Sequence, residues 1–245
     1  MEGTKLGTNV DSADGEVRAY ELVLRYIEAG ILEGRYGNGT LLPPERDLAA
    51  LLRVGRPAVR EAIRVLSAQG LIAASTGRGG GTRIVAAQDD ALGRILRLHL
   101  AIAGQGIHDL TETRIALEKV SVAAAARSAT EADIAELDEV LAAMAEDDQI
   151  ESFNSLDTEF HVLIARAGSN SLVADLTVAI REAVKDPIRE ASYEMGDWQE
   201  FRLGLIEQHQ GIRDAIAERD VDQAVNLTER HIRGAFHALT GVSDD

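Results

Sequence analysis

Cysteine is absent from the 245-residue sequence, and this absence removes several kinds of site at once. A chain without thiols forms no disulfide, offers no thiolate nucleophile and builds no zinc–cysteine site. Any transition metal that the protein binds must therefore be held by histidine and carboxylate side chains.

Aromatic residues and prolines are scarce as well. Aromatics make up 4% of the sequence, and only Pro187 of the four prolines lies in the long C-terminal part. This composition favours packed helices over a sandwich or barrel there. No run approaches the roughly 18 apolar residues of a membrane span, and the polar first residues do not resemble a signal peptide. We therefore expect a soluble, cytoplasmic protein without membrane association.

Positive charge is scarce overall but concentrated in one segment. The net charge is −16, yet residues 17–86 carry ten arginines against six acidic residues, whereas residues 92–245 carry 14 basic against 29 acidic residues. A basic segment on an acidic body can bind DNA phosphates while the body resists non-specific adhesion to nucleic acid. The length and this charge division predict two domains.

The hydrophobic periodicity predicts a mainly α protein, in which an N-terminal winged helix-turn-helix with a small β-wing precedes an all-α bundle of six or seven helices. Asp109 with Glu112, and Thr130 with Asp133, predict two helix starts, and Asn170 is predicted to be a helix cap. The expected organisation is a disordered tail (1–16), the DNA-binding domain (17–86), a linker (87–91), the helical sensor and dimerisation domain (92–238) and a second tail (239–245).

The DNA-binding element is predicted from LLPPERDLAALL, which a short RVG break separates from a second helix with Pro57 in its first turn. In the second helix Arg56, Arg60 and Arg64 are spaced i, i+4, i+8 and form a basic stripe beside an apolar one. Arginine neutralises phosphate and donates in pairs to guanine. The alternative is a set of solvated arginines on an ordinary amphipathic helix. The segments LIAAST and TRIVA around GRGGG predict the two strands of a wing.

The run LPPERDLAALLRVGRPAVREAIRVLSAQGLI followed by GRGGGTRIV resembles the GntR family of bacterial transcription regulators. The resemblance implies that DNA is contacted by Arg46, Arg56 and Arg60, by Gly55 and Pro57 at the start of the recognition helix, and by Thr76 and Gly77 in the wing. One position departs from the family, which usually has Ser or Thr where Gly55 stands. A capping hydroxyl that could also touch phosphate is therefore missing here.

Asp157 and His161 are four residues apart and share one helix face, and His209 and His231 come from two later helices. Spacing alone does not separate a metal site from ordinary surface or core histidines. The motifs TETRIALEKVSVAAAA, DTEFHVLIARAGSN, EQHQGIRDAIAERDVDQA and ERHI, however, resemble the metal-containing ligand-binding (FCD) domain of the family's FadR-type branch. That resemblance implies that these four residues bind a divalent metal, zinc first, with nickel, cobalt or manganese as alternatives.

Arg114 lies in the first of these motifs, where the family often places an effector-binding arginine. Its planar guanidinium is suited to a carboxylate; the alternative is an i, i+4 ion pair with Glu118. The resemblance implies a regulator, most often a repressor, that responds to a small organic acid bound beside the metal. As a homodimer, it would bind a two-fold symmetric double-stranded DNA operator.

Two alternatives remain at this point. One is a metal-dependent enzyme fused to a DNA-binding module, and the other is a regulator that responds to the metal itself. The sequence contains no HExxH helix, Ser-His-Asp elbow or Walker loop. Glu159, the one candidate general base, is predicted to point away from the face of Asp157 and His161. The sequence therefore favours a regulator that is not an enzyme.

Overall fold

The computed structural model describes residues 10–75, 80–85, 91–103 and 107–241. These residues divide into two compact units, with the boundary between Leu92 and Gly93. The elements are α1 (Val10–Leu32), α2 (Glu45–Leu52), α3 (Arg56–Ala68), β1 (Ile72–Ser75), β2 (Gly81–Ile84), α4 (Ala91–Ala103), α5 (Ile107–Ser128), α6 (Glu131–Glu146), α7 (Ile150–Ala167), α8 (Ser171–Glu194), α9 (Trp198–Ala217) and α10 (Val221–Thr240).

The first unit has the predicted helix-turn-helix in α2 and α3. Arg53 ends α2 in the left-handed conformation, with φ of 55°, and the Val54 amide donates to the Ala49 carbonyl at 3.0 Å. Pro57 occupies the first turn of α3, as predicted. Pro44 is the N-cap residue of α2, and its carbonyl accepts from the Leu48 amide at 3.0 Å.

The wing is also confirmed. Strands β1 and β2 pair antiparallel, in register from Ile72 opposite Ile84 to Ser75 opposite Gly81. The segment before α2 extends the ladder, since the Ile84 amide donates to the Thr40 carbonyl at 2.9 Å and the Leu42 amide to the Thr82 carbonyl at 2.8 Å. The apolar side chains of this unit share one core, formed by Val23, Ile27, Leu42, Leu48, Ala49, Val59, Ala62, Leu66, Ile72 and Ile84.

Both predicted tails are partly helical. Helix α1 begins at Val10, inside the predicted disordered segment 1–16, and α10 continues to Thr240, inside the predicted tail 239–245. Extending an existing helix adds a hydrogen bond for each residue fixed, so polar residues continue a helix that they would not nucleate. Helix α4 likewise includes Ala91, the last residue of the predicted linker, whereas residues 87–90 lie outside the described residues.

The second unit contains seven helices in the part of the chain that the structure describes, in agreement with the predicted six or seven. The Thr130 hydroxyl accepts from the Asp133 amide and the Asp133 carboxylate accepts from the Thr130 amide, so the predicted capping box starts α6. Asn170 caps α8 by accepting from the Val173 amide. Asp109 is not a cap, because α5 begins at Ile107 and Asp109 lies within its first turn.

Helices α5, α6, α7, α9 and α10 surround the main core of this unit. Trp198 packs edge-on against Phe153, with ring centroids 5.4 Å apart. Within the described ranges, no helix combines the length and the apolar character required to cross a bilayer.

Candidate functional site

The recognition helix α3 has one buried and one exposed face. Val59, Ala62 and Leu66 are buried in the core of the first unit, while Arg56, Arg60 and Arg64 are exposed. The sequence pattern therefore predicted both faces of this helix correctly. An exposed row of guanidinium groups on the second helix of a helix-turn-helix is suited to the major groove.

The ion pairs of these arginines are weak. The Arg56 Nη2 atom is 3.9 Å from the Glu45 Oε2 atom, and the Arg56 side chain is 62% exposed. Arg46 on α2 is 83% exposed and pairs with its neighbour Asp47 at 3.1 Å. Exposed pairs of this kind contribute about 0–1 kcal/mol, so they do not compete strongly with a DNA phosphate.

The start of α3 has the backbone geometry of an N-cap without its side chain. Gly55 is extended, with φ of −70° and ψ of 147°, and makes no side-chain capping bond. The departure at Gly55 therefore removes a hydroxyl and leaves the fold unchanged. Thr76 and Gly77, the predicted wing contacts, lie outside the described residues.

The four predicted metal ligands come together inside the second unit. Asp157 and His161 lie on α7, His209 on α9 and His231 on α10, and one ligand atom of each lies within 4.8 Å of all the others. The His161 Nε2 atom is 3.3 Å from Nε2 of His209 and 3.3 Å from Nε2 of His231. The Asp157 Oδ1 atom is 3.2 Å from Nε2 of His209. All three imidazoles are buried.

The outer nitrogens of two of these imidazoles determine which tautomer is present. The His161 Nδ1 atom is 2.6 Å from the Glu118 Oε2 atom, and the His231 Nδ1 atom is 2.9 Å from the Gln208 Oε1 atom. Both partners are acceptors, so each Nδ1 carries the proton and donates it. In the neutral rings both Nε2 atoms then present lone pairs to each other across 3.3 Å. A metal cation bound to both Nε2 atoms would make this approach favourable.

The electrostatics of the site favour the neutral forms of His161 and His231 and the ionised forms of Asp157 and Glu118. Burial, followed by the charge of Arg181, lowers the pKa of His161 to about 4. Burial and the two neighbouring imidazoles lower the pKa of His231 well below its usual value. Burial acts to raise the pKa of Asp157 and Glu118, but the nearby positive groups, Arg181 foremost, outweigh it and hold both well below the usual range.

Two buried arginines balance the two carboxylates. Arg181 on α8 donates to both oxygens of Glu118 at 2.9 Å and to the Asp157 Oδ2 atom at 2.8 Å. Arg114 donates through Nε to the Glu118 Oε1 atom at 2.7 Å. The i, i+4 ion pair considered for Arg114 is thus present. No hydrogen bond among the described residues uses its two terminal nitrogens, which remain suited to an anion.

The donor set fits a divalent transition metal. Three imidazole nitrogens and one carboxylate oxygen are the ligands of zinc and of its neighbours in the first transition row. Adjacent ligand atoms of one ion with bonds of about 2.0–2.1 Å lie roughly 3 Å apart. Three of the separations in the cluster are 3.2–3.3 Å, and the His161 Nε2 atom is 4.0 Å from the Asp157 Oδ1 atom. The His209 Nδ1 atom is buried and has no hydrogen-bond partner among the described residues, so the polar contacts of this ring there are made through Nε2.

A cavity opens directly beside the cluster. Arg114, Asp157 and His231 line its polar end. Glu159 is exposed, which confirms that it points away from this face. A small molecule in the cavity can therefore contact the cluster and Arg114 at the same time. Glu159 does not line this cavity and cannot act there as a general base.

Sequence reasoning missed two residues of this site. Arg181 lies in the charged run REAVKD and resembles a solvated residue there, although it shares a helix face with the buried Thr177 and Val184. An arginine on an apolar face was the available signal. Gln208 is exposed and directly precedes His209, and no pattern distinguishes it.

Comparisons with known proteins cover both compact units. A family model described as "Bacterial regulatory proteins, gntR family" matches residues 19–84, and one described as "FCD domain" matches residues 109–234. The HTH-type transcriptional repressor NanR of Edwardsiella tarda is 30% identical over 233 residues, which cover 91% of this chain and 87% of that protein. The protein of the same name from Salmonella typhimurium is 31% identical over 227 residues, 89% and 84% of the two chains.

One solved structure supports the same assignment. Streptococcus agalactiae GntR superposes with a TM-score of 0.60 at 26% identity, and the match covers 87% of this chain and 96% of that one. The order of the elements, from helix-turn-helix to helical unit, is therefore shared over most of both chains.

Proposed function

Because the chain belongs to the GntR family of bacterial transcription regulators and carries an FCD domain, we propose that it is a repressor whose operator affinity changes when a small carboxylic acid binds beside a divalent metal ion. The observation that carries the proposal is the convergence of the Nε2 atoms of His161, His209 and His231, with Asp157, beside a cavity lined by Arg114. The regulator acts as a homodimer on a two-fold symmetric operator, with half-sites about one helical turn apart.

The charges of the cluster explain the choice of an acid. Two carboxylates, Asp157 and Glu118, are balanced by two guanidiniums, Arg114 and Arg181, so the side chains alone sum to zero. A bound divalent ion supplies two uncompensated positive charges and an electrophilic centre at the mouth of the cavity. Four protein ligands leave room in an octahedral shell for water or carboxylate oxygens, and the terminal nitrogens of Arg114 can bind the same carboxylate.

The transmission to DNA requires that the acid bind two arrangements of the protein with different affinity. The cavity lies among α5, α7, α8, α9 and α10, so a ligand there contacts five helices of the second unit. A shift in the packing of these helices changes the spacing of the paired DNA-binding modules, and repression is relieved.

The proposal is tested by measuring operator affinity in four states: metal-free, with zinc, with a short 2-hydroxy acid, and with both. We expect the acid to change the affinity only when zinc is present. His209→Ala should abolish the acid response and reduce bound zinc below about half an equivalent after purification without chelators and reconstitution. His99→Ala, on the exposed face of α4, is the matched control and should retain both.

Other outcomes overturn the proposal in different ways. A response to zinc alone makes the metal itself the signal. An acid response that survives in metal-free protein removes the metal from the effector site. Full zinc content in His209→Ala excludes the four-ligand site.

A further inference from the structure

The cavity beside the cluster has two chemically different ends. The polar end is formed by Arg114, Asp157 and His231. Away from it, the walls of α8, α9 and α10 are lined mostly by apolar side chains, among them Val184, Pro187, Phe201, Leu205, Ala235 and Leu239. The two ends imply that different parts of a ligand meet different surroundings.

The helical register places the apolar side chains in rows that lead away from the cluster. On α10, Ala235 and Leu239 follow His231 at i+4 and i+8, which is about 12 Å along the helix axis. On α9, Leu205 and Phe201 precede His209 at the same spacings. Two apolar rows of two helical turns therefore flank the space beyond the polar end.

The polar side chains of these walls are already bonded within the protein. The Ser192 hydroxyl donates to the Ile188 carbonyl at 2.8 Å and accepts from the Asn154 amide at 3.5 Å. The Thr240 hydroxyl donates to the Phe236 carbonyl at 2.8 Å. The Ser192 and Thr240 hydroxyls have thus used their donors, so the only bond that they can offer a ligand here is as acceptors.

We infer that the effector is a monocarboxylic acid with an aliphatic or aromatic body, the carboxylate lying at Arg114 and the cluster and the body lying between the rows of α9 and α10. This inference rests on the proposed function, because it takes the carboxylate site as given. A polyhydroxylated acid of the same length is disfavoured, since each of its hydroxyl groups buried against Leu205, Ala235 or Leu239 loses its water without gaining a partner. Each such loss weakens binding roughly tenfold.

The test uses three acids that share a 2-hydroxycarboxylate head: glycolate, 2-hydroxyisocaproate and gluconate. Their affinities are measured by calorimetry on the full-length zinc-loaded protein. We expect 2-hydroxyisocaproate to bind at least about tenfold more tightly than glycolate or gluconate, since the added apolar body is buried. If gluconate binds as tightly or more tightly, the inference is wrong while the acid site stands. If none of the three binds, the proposed function fails together with the inference.

A pair of variants tests where the apolar part of the acid binds. Leu239→Asn, near the end of α10, should weaken 2-hydroxyisocaproate about tenfold and leave both glycolate affinity and zinc content unchanged. Leu172→Asn is the control, because Leu172 is 64% exposed at the start of α8 and does not line the cavity. Equal losses for both acids in Leu239→Asn, or no loss for either, overturn the placement.

Discussion

Glu118 and His161 form a hydrogen-bonded pair inside the helical unit, with the Oε2 atom of Glu118 2.6 Å from the Nδ1 atom of His161. The two side chains are 3% and 1% exposed. The same carboxylate accepts from Arg114 and Arg181. Glu118 therefore fixes the imidazole tautomer and compensates two buried cations at once, although it is not one of the four ligands.

Glu118→Gln is the first prediction. The amide retains the shape of the side chain but removes its charge, so the two arginines lose their shared counter-ion and His161 loses its charged acceptor. We expect zinc affinity to fall about 10–100-fold. The free energy of unfolding should fall by about 3–5 kcal/mol, as when one partner of a buried ion pair is removed. Competition with a chromophoric chelator and urea denaturation measure the two effects.

Glu112→Gln provides the matched control on the same helix. Glu112 pairs with Arg233 and its side chain is 42% exposed, so this loss should cost no more than about 1 kcal/mol and leave zinc affinity unchanged. Equal zinc affinities for wild type and Glu118→Gln would contradict the role assigned to Glu118.

The second prediction concerns DNA. Arg60 is exposed in the middle of α3 and has no ion pair within the described ranges. Arg60→Ala should lose about 1–3 kcal/mol of discrimination at one base pair of the operator, because a bidentate contact to guanine is lost. The operator is first selected from a randomised duplex library, and mobility shifts are then measured on it and on its single-base variants.

Arg25→Ala, on the exposed face of α1, is the control for the loss of one positive charge without the loss of a base contact. It should change affinity equally for all these sequences, if it changes affinity at all. If Arg60→Ala discriminates between the operator and its single-base variants as well as the wild type does, Arg60 does not contact a base.

The sequence was most informative where local chemistry determines the structure. The turn at RVG, Pro57 in the first turn of α3 and the capping box of Thr130 depend on neighbouring residues, and each was predicted correctly. The starts of α1 and α5 were predicted too late, because helix propagation does not require an apolar residue at every turn. Sequence patterns therefore located the elements better than their ends.

The residues of the candidate metal site also differ in how far local sequence predicts them. Asp157 and His161 share a helix and could be paired from spacing, whereas His209 and His231 were joined to them only by a family resemblance. Arg181 reaches Glu118 across 63 positions of sequence, and only the packing of α8 against α5 brings the two together. No local pattern encodes a contact of that separation.

The third prediction tests the capping box of α6. Thr130→Ala removes the hydroxyl that accepts from the Asp133 amide at 3.2 Å and should lower the free energy of unfolding by about 0.5–2 kcal/mol. Ser155→Ala is the control, because that exposed hydroxyl only returns a bond to its own helix at Glu151, and a change of a few tenths of a kcal/mol is expected. Urea denaturation of the two variants makes the comparison, and equal losses would argue against the cap.

The same box predicts a pH dependence. The Thr130 amide, followed by the Thr130 hydroxyl, holds the pKa of Asp133 below its usual value. A carboxyl with a lowered folded-state pKa contributes stability that is complete above the unfolded-state pKa of about 3.9 and is lost as the pH falls through the folded-state value. The stability difference between wild type and Asp133→Asn should therefore be constant near neutral pH and shrink below about pH 4. A difference that is independent of pH would contradict this.

The last prediction restores the hydroxyl that Gly55 lacks. Gly55 is extended at the N-cap of α3, and an added Cβ meets only the Pro57 Cδ atom at 3.4 Å, which is ordinary contact. Gly55→Ser should stabilise the first unit by a few tenths of a kcal/mol, since Ser caps slightly better than Gly, whereas Gly55→Ala should destabilise it. If the hydroxyl also reaches a phosphate, Gly55→Ser tightens binding to every duplex by a similar factor, because phosphate contacts carry no sequence information. Mobility shifts on the selected operator and on an unrelated duplex separate that outcome from a gain confined to the operator, which would instead indicate a base contact at this position.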